Sequence, residues 1–288
     1  MKLKIMNSTG NASGEAILPP QFEEPIRIDL IRKAVLSVQT NNRQAYGSFE
    51  DAGDRHAIRL SKRRRDYKTP YGKGMSRTPR KTLSRRGSQM HWVGAQAPNT
   101  VGGRRAHPPK AWKLWSWKLN DSERKKAIRS ALSATVRPDV VKARGHQIPD
   151  NYPFILDNDF ESIKKTSELI NALTKLGFEK ELERSNAQIE RAGQGKLRGR
   201  RKKSKASLLL VVSGKCNLMS AAENLPGIDV TGIKMLNAEM LAPGTICGRA
   251  TMITASALEE LKMGLFTNKY KGAIRKKRKS KIAKIAKT

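Results

Sequence analysis

Ser207-Leu208-Leu209-Leu210-Val211-Val212 is the stretch on which the fold turns. Its consecutive apolar side chains leave no polar face, so a strand here must be covered on both sides, as in a parallel sheet. Helices and strands alternate downstream of it. Residues 218–224 read as a short helix, Pro226-Gly227 as a turn into Ile228-Asp229-Val230, and residues 236–241 as a brief helix ended by Pro243-Gly244. Thr251-Met252-Ile253-Thr254 reads as a further strand, and Ser256 with Glu259 as the capped start of a last helix that stops at Gly264. Strands alternating with helices imply an α/β fold: a single layered body with a largely parallel sheet flanked by helices.

Upstream, Leu3-Lys4-Ile5-Met6 and Glu15-Ala16-Ile17-Leu18 read as two strands about a turn, and Pro153-Phe154-Ile155-Leu156 as a short buried one. Ile28, Ile31, Val35 and Val38 recur at helical spacing. Asn120 with Glu123 resembles a capping box opening a helix to about Val136, whose core face is Ala127, Ile128, Ala131 and Leu132. Asn158 with Glu161 repeats that pattern, and Phe160, Ile163, Ile170 and Leu173 carry a helix on to Gly177. A charged helix runs from Glu179 to about Arg191, its acids reading as a solvated face.

The formal charge of +33 is not shared evenly along this chain. Residues 55–118 hold 18 of the 58 basic residues against one acid, Asp66; residues 191–205 hold 8 and residues 269–288 hold 10, with no acid in either. The rest is close to neutral, whereas a protein made basic only for solubility would spread its cations over its whole surface. The domains expected are therefore one body of residues 1–54 and 119–268, an extended basic internal loop of residues 55–118, a Gly/Arg segment of residues 191–205, and a disordered Lys-rich tail of residues 269–288. The tail suits RNA contact and plain solvation equally.

Residues 55–118 show neither a helical period nor a strand-like alternation and read as one long irregular loop. Such a stretch buries too little apolar surface to offset its ordering entropy unaided. Its cations come in clusters: Arg63-Arg64-Arg65, Lys73, Arg77-Thr78-Pro79-Arg80-Lys81, Arg85-Arg86, Arg104-Arg105, then Lys110, Lys113 and Lys118. Tyr71, Trp92, Trp112, Trp115 and Trp117 are interleaved with them, and solubilising tails lack tryptophan. Cations for phosphates and rings for unpaired bases make RNA the matching partner, each stacked base contributing ~1–3 kcal/mol. One of the tryptophans 112, 115 and 117 is equally well read as a core residue. Lys196, Arg198, Arg200, Arg201, Lys202 and Lys203 form a second RNA-binding group, among glycines that suggest close backbone approach.

Other chemistries find no support. Gly193-Gln194-Gly195 with Gly199 is misspaced for a dinucleotide loop, and Ser213-Gly214-Lys215 lacks both the leading glycine and the final Ser/Thr of a phosphate loop. Cys216 and Cys247 stand far apart and the histidines are scattered, so no metal, no cofactor and no catalytic residue is expected. No apolar leader or membrane-length stretch is read at the start or elsewhere. His146 reads as a turn residue. An RNA-processing enzyme with a basic guide loop and a chromatin-type nucleic-acid-binding protein are the alternatives. The first lacks a cofactor motif or acid/base pair, and the second gives the tryptophans no unpaired bases.

Several blocks together resemble the archaeal/eukaryotic branch of the fourth large-subunit ribosomal protein family. They are Arg77-Thr78-Pro79-Arg80, Gly102-Gly103-Arg104-Arg105 leading to Lys110-Ala111-Trp112, Arg129-Ser130-Ala131-Leu132-Ser133-Ala134 with Gly145-His146, Arg191-Ala192-Gly193-Gln194-Gly195-Lys196, Leu225-Pro226-Gly227-Ile228 and Leu241-Ala242-Pro243-Gly244. The resemblance implies a non-enzymatic, cytoplasmic constituent of the large ribosomal subunit, bound to its rRNA and not a homo-oligomer. It also implies that the internal loop reaches the nascent-peptide exit tunnel, where Arg77, Thr78, Pro79 and Arg80 at its tip face the nascent polypeptide beside a second ribosomal protein. Eukaryotic relatives carry a glycine-rich run after that arginine pair, where this chain has Lys81-Thr82-Leu83-Ser84-Arg85-Arg86. An excursion of about 32 residues each way, at ~3.3 Å per residue, has a ceiling of roughly 100 Å.

Overall fold

Leu209–Val212 is fully buried and pairs in parallel with Asp229–Gly232 on one side and Thr251–Ile253 on the other. This is a computed structural model, and it describes residues 1–66, 69–87 and 89–267; the tail of residues 269–288 lies outside them. Alternation along the central strand divides its side chains between two apolar clusters. Leu209 and Val211 pack with Ile31, Val35, Ile128 and Leu132 of the helices Ile28–Asn41 and Asp121–Thr135. Leu208, Leu210 and Val212 pack with Leu169, Leu173, Phe178 and Leu218, most of them from the helices Thr166–Lys175 and Asn217–Ala222. The unbroken apolar run is thus the mark of a strand with helices on both faces. A second group of strands is mixed: Lys2–Met6 lies antiparallel to Ala12–Ile17 and parallel to Ile155–Leu156. Among the described residues, a parallel bridge from Leu156 to Thr254 joins the two groups.

Several expected helices end early or are held differently, for one physical reason. Residues that resemble local caps are engaged across the fold. The helix expected over 158–177 is split into Asp159–Ser162 and Thr166–Lys175, with Ile163 extended between them. Asn158 Oδ1 accepts from the Ser256 N–H at 2.9 Å. The Glu161 carboxylate accepts from the Ser213 N–H, Thr254 Oγ1 and Ser256 Oγ, tying two strand ends together. Asn120 makes no side-chain cap, while Glu123 pairs with Lys33 at 3.2 Å. Thr254, not Ser256, caps the helix Ala255–Lys262. The charged helix stops at Asn186, and Ile189–Glu190 turns into a hairpin with Lys202–Lys203.

The chain divides into two compact units: Met1–Asn42 with the chain from Ser116 onward, and Arg43–Trp115. Within the body, the two stretches of chain next to the excursion are joined. Asn41 Nδ2 donates to the Trp117 carbonyl at 3.3 Å, the Trp117 N–H donates back to Asn41 Oδ1 at 3.1 Å, and Ser37 Oγ adds a bond to that carbonyl at 2.9 Å.

The excursion forms an arm that is not irregular throughout. Arg80–Arg86 and Gln89–Gly94 form an antiparallel hairpin, with Ile58–Arg59 paired to its first strand. A bulge between Thr82 and Ser84 interrupts the register, and the cations along the first strand mask its alternation. Gly87, with φ of +57°, is the turn signal that points to the hairpin. Among the described residues, Pro70 and Ala95 are the only aliphatic or aromatic side chains of the arm that are buried. The arm is held by backbone pairing and surface contacts, not by a core.

Candidate nucleic-acid interface

Two basic elements stand out from a near-neutral body, and each has its own architecture. In the arm, Arg63, Arg64, Arg65, Lys73, Arg77, Arg85, Arg86, Arg104, Arg105, Lys110 and Lys113 are exposed, as is Lys118 on the body side of the boundary. Arg80 and Lys81 are half-buried. Arg80 is a staple: Nη1 donates to the Ser76 carbonyl at 2.7 Å and the Thr78 carbonyl at 3.3 Å, and Nη2 to Ser76 Oγ at 2.8 Å. Its guanidinium closes the turn that carries Arg77, Thr78 and Pro79, while Arg77 rests over the Tyr71 ring at 4.5 Å.

The hairpin alternation gives the arm two faces. Met90 and Trp92 point to the covered side, where Lys73 and Arg80 each lie 5.8 Å from the Trp92 centroid. Val93 and His91 lie on the exposed side, paired with Lys81 and Ser84 of the facing strand. His91, a histidine of the basic tract whose expected role is a phosphate or base contact, is exposed, and the register sets Ser84, which neither type nor spacing marks out, opposite it.

The aromatic residues fall into two groups. Trp112 and Trp117 are 62% and 53% exposed, with Lys110 lying 5.2 Å from the Trp112 ring. Trp115 is half-buried among its own neighbours, with Arg43 at 4.1 Å, Lys113 at 4.4 Å and Tyr46 stacked at 5.6 Å. Trp115 is thus the packed member of the three.

The second element is the hairpin over residues 187–206. Arg191 N–H donates to the Arg201 carbonyl and Arg200 N–H to the Gly195 carbonyl, closing a tight loop at 2.9 and 3.0 Å. Gly193 and Gly199 take φ of +76° and +77°, with open space where a Cβ would stand. These glycines give the hairpin its left-handed turn residues. Lys196, Arg198, Arg200, Arg201, Lys202 and Lys203 are all exposed, Arg201 pairing with Glu190 at 2.7 Å.

The root of this hairpin is built from buried polar groups. Glu181, expected on a solvated face, is fully buried. Its Oε1 accepts from His146 Nδ1 at 2.7 Å, Ser207 Oγ at 2.9 Å and Arg184 Nη2 at 2.6 Å. Its Oε2 accepts from Gln147 N–H at 2.9 Å and Arg184 Nε at 2.8 Å. Burial pushes this carboxyl up, but the bonds from Arg184, His146 and Gln147 outweigh burial and hold it at about 2. Beside it the buried Arg249 donates to the carbonyls of Ser207, Leu208, Gly227 and Met240 and meets Asp229 at 2.6 Å. No feature of spacing separates Glu181 from the charge run around it.

A sequence model of the ribosomal protein L4/L1 family matches residues 16–264. The chain belongs to that family, in its archaeal branch. This L4-family chain is 44% identical over 263 residues to large ribosomal subunit protein uL4 of Nanoarchaeum equitans, covering 91% of the chain and 98% of the relative. The uL4 proteins of Methanocaldococcus jannaschii and Halobacterium salinarum match at 43% and 39%, each over 264 residues, with 91% of this chain and 98% and 99% of theirs covered. The family is structural and not enzymatic. Among the described residues of the L4-family chain, no three His, Cys, Asp or Glu side chains gather as a metal site, and no helix is long and apolar enough to cross a membrane.

Proposed function

We propose that this chain is a structural, non-catalytic constituent of the cytoplasmic large ribosomal subunit that binds large-subunit rRNA through the arm and the basic hairpin. The observation that carries the reading is the contrast within one chain. A body with two apolar clusters of its own bears an arm whose buried aliphatic or aromatic side chains, among the described residues, are Pro70 and Ala95 alone. Exposed guanidinium and ammonium groups on such a scaffold have phosphate as their natural complement. Trp112 and Trp117 offer ring surface for unpaired bases. The arm tip at Arg77, Thr78, Pro79 and Arg80 lines the constriction of the nascent-peptide exit tunnel, beside a neighbouring ribosomal protein and against the passing polypeptide. The subunit, rather than a second copy of the chain, is the assembly partner.

Two measurements test this. Sedimentation of a cell extract in high salt should leave the chain with the large subunit; recovery in the soluble fraction overturns the ribosomal reading. Arg77→Glu should give particles that assemble with altered passage of nascent chains or altered sensitivity to tunnel-binding drugs. Particles matching wild type in both respects overturn the tunnel reading alone. The Arg80 staple makes Arg77 the cleaner probe, because Arg77 makes no turn-closing bond of that kind.

A further inference from the structure

No residue of the hairpin over 187–206 is buried, so nothing within it fixes its direction. Its direction is set at the root, where both ends meet one carboxylate. On the entering side, Arg184 is bound to Glu181 through Nε and Nη2 and also donates to the Ala206 carbonyl at 3.0 Å. On the leaving side, Ser207 Oγ donates to the same carboxylate at 2.9 Å, and the Ser207 N–H to the Gly227 carbonyl at 2.7 Å. His146 and Gln147 anchor the carboxylate to the turn after the helix Pro138–Ala143.

We propose that Glu181 is a positioning residue for RNA binding: by clasping both roots of the hairpin, it presents the cations of residues 196–203 to an RNA phosphate backbone in a fixed direction. The proposal rests on the reading that this hairpin contacts RNA. The physical case is preorganisation. A hairpin free to swing loses that freedom when it docks, and a clasp made during folding removes this cost from binding. A carboxylate suits the task because its two oxygens accept from several converging donors at once, including both arms of a guanidinium. Arg184 therefore belongs to the clasp and not to the phosphate-binding set.

The test is a double-mutant cycle on the full chain, titrated with in vitro transcribed large-subunit rRNA at fixed salt. Ser207→Ala removes one neutral donor and leaves the carboxylate paired, so it reports even where Glu181→Gln impairs folding. Expected losses of affinity are about threefold for Ser207→Ala and about tenfold for Glu181→Gln. Both losses should vanish in a background where Arg200, Arg201, Lys202 and Lys203 are replaced by alanine, because a clasp has nothing left to aim. Losses that persist undiminished in that background overturn the proposal and make Glu181 a residue of body stability alone. A wild-type affinity for Ser207→Ala and Glu181→Gln in the native background overturns it too. If the alanine background itself binds RNA like wild type, the RNA-contact reading of the hairpin falls, and the proposal with it.

Discussion

The guanidinium of Arg43 lies over the ring of Trp115, 4.1 Å from its centroid, with Tyr46 stacked on the same ring. The first and last residues of the arm unit are joined by a cation–π contact, so this tryptophan closes the arm on itself. Trp115→Ala should make the arm more sensitive to limited proteolysis in RNA-free protein. Trp112→Ala should leave the proteolysis pattern unchanged and weaken rRNA binding by the ~1–3 kcal/mol of a lost base stack. Comparing the two variants in both assays separates the packed ring from the presented one.

Arg249 is the largest fully buried side chain of the body, and its guanidinium serves four carbonyls and a carboxylate. Burial lowers its affinity for the proton, and Asp229 partly restores it. Replacing it by methionine takes a charged donor from four carbonyls, of which those of Leu208 and Gly227 keep a backbone donor, from Asp229 and Ser207. Arg249→Met should cost about 1–3 kcal/mol in urea unfolding, the penalty of buried carbonyls left short of a donor, because the abandoned Asp229 is itself exposed to solvent.

Acid should act through Glu181. Its carboxyl titrates at about 2 in the folded chain against an ordinary 4.5, so it contributes stability that is complete above about 4.5. That contribution is lost progressively as pH falls from 4.5 toward 2. Glu161, whose carboxyl is also held low although burial opposes it, acts in the same direction. Thermal melts between pH 7 and pH 2 should show a shallower acid limb for Glu181→Gln than for the parent chain.

Gly227 and Gly199 share a left-handed backbone, φ of +78° and +77°, but not a neighbourhood. A Cβ at Gly227 would stand 2.2 Å from the Lys205 carbonyl oxygen, whereas Gly199 faces open space. Gly199→Ala should cost only the ~1 kcal/mol of an alanine held at positive φ. Gly227→Ala adds a backbone clash, and should lower the melting temperature clearly more than Gly199→Ala does.

The body is legible in the sequence where one residue type has one reason to be there. The run from Leu208 to Val212 means cover on both faces, and both faces are covered. Ala127, Ile128, Ala131 and Leu132 are all buried where helical spacing puts them. Legibility fails where a polar residue has two possible partners. Asn158 and Glu161 carry the pattern of a local cap, yet their donors come from Ser213, Thr254 and Ser256, distant in the chain. Glu181 sits among acids that are solvated and is itself buried, because His146, Gln147 and Ser207 converge on it only after folding. In the arm, the strand from Arg80 to Arg86 hides its alternation behind cations and a bulge. Composition identifies the clusters of positive charge, but not which members point outward, since Arg80 and Arg77 differ only in what their guanidiniums reach.

The paired amide bonds between Asn41 and Trp117 seal the body below the place where the arm departs. Chain added or removed beyond that seal changes the body's stability only through the entropy of closing a loop, about 0.6 kcal/mol for each doubling of length. Descendants of such a protein are therefore free to grow or trim the arm to whatever distance must be crossed, while the globule that carries it stays as it was.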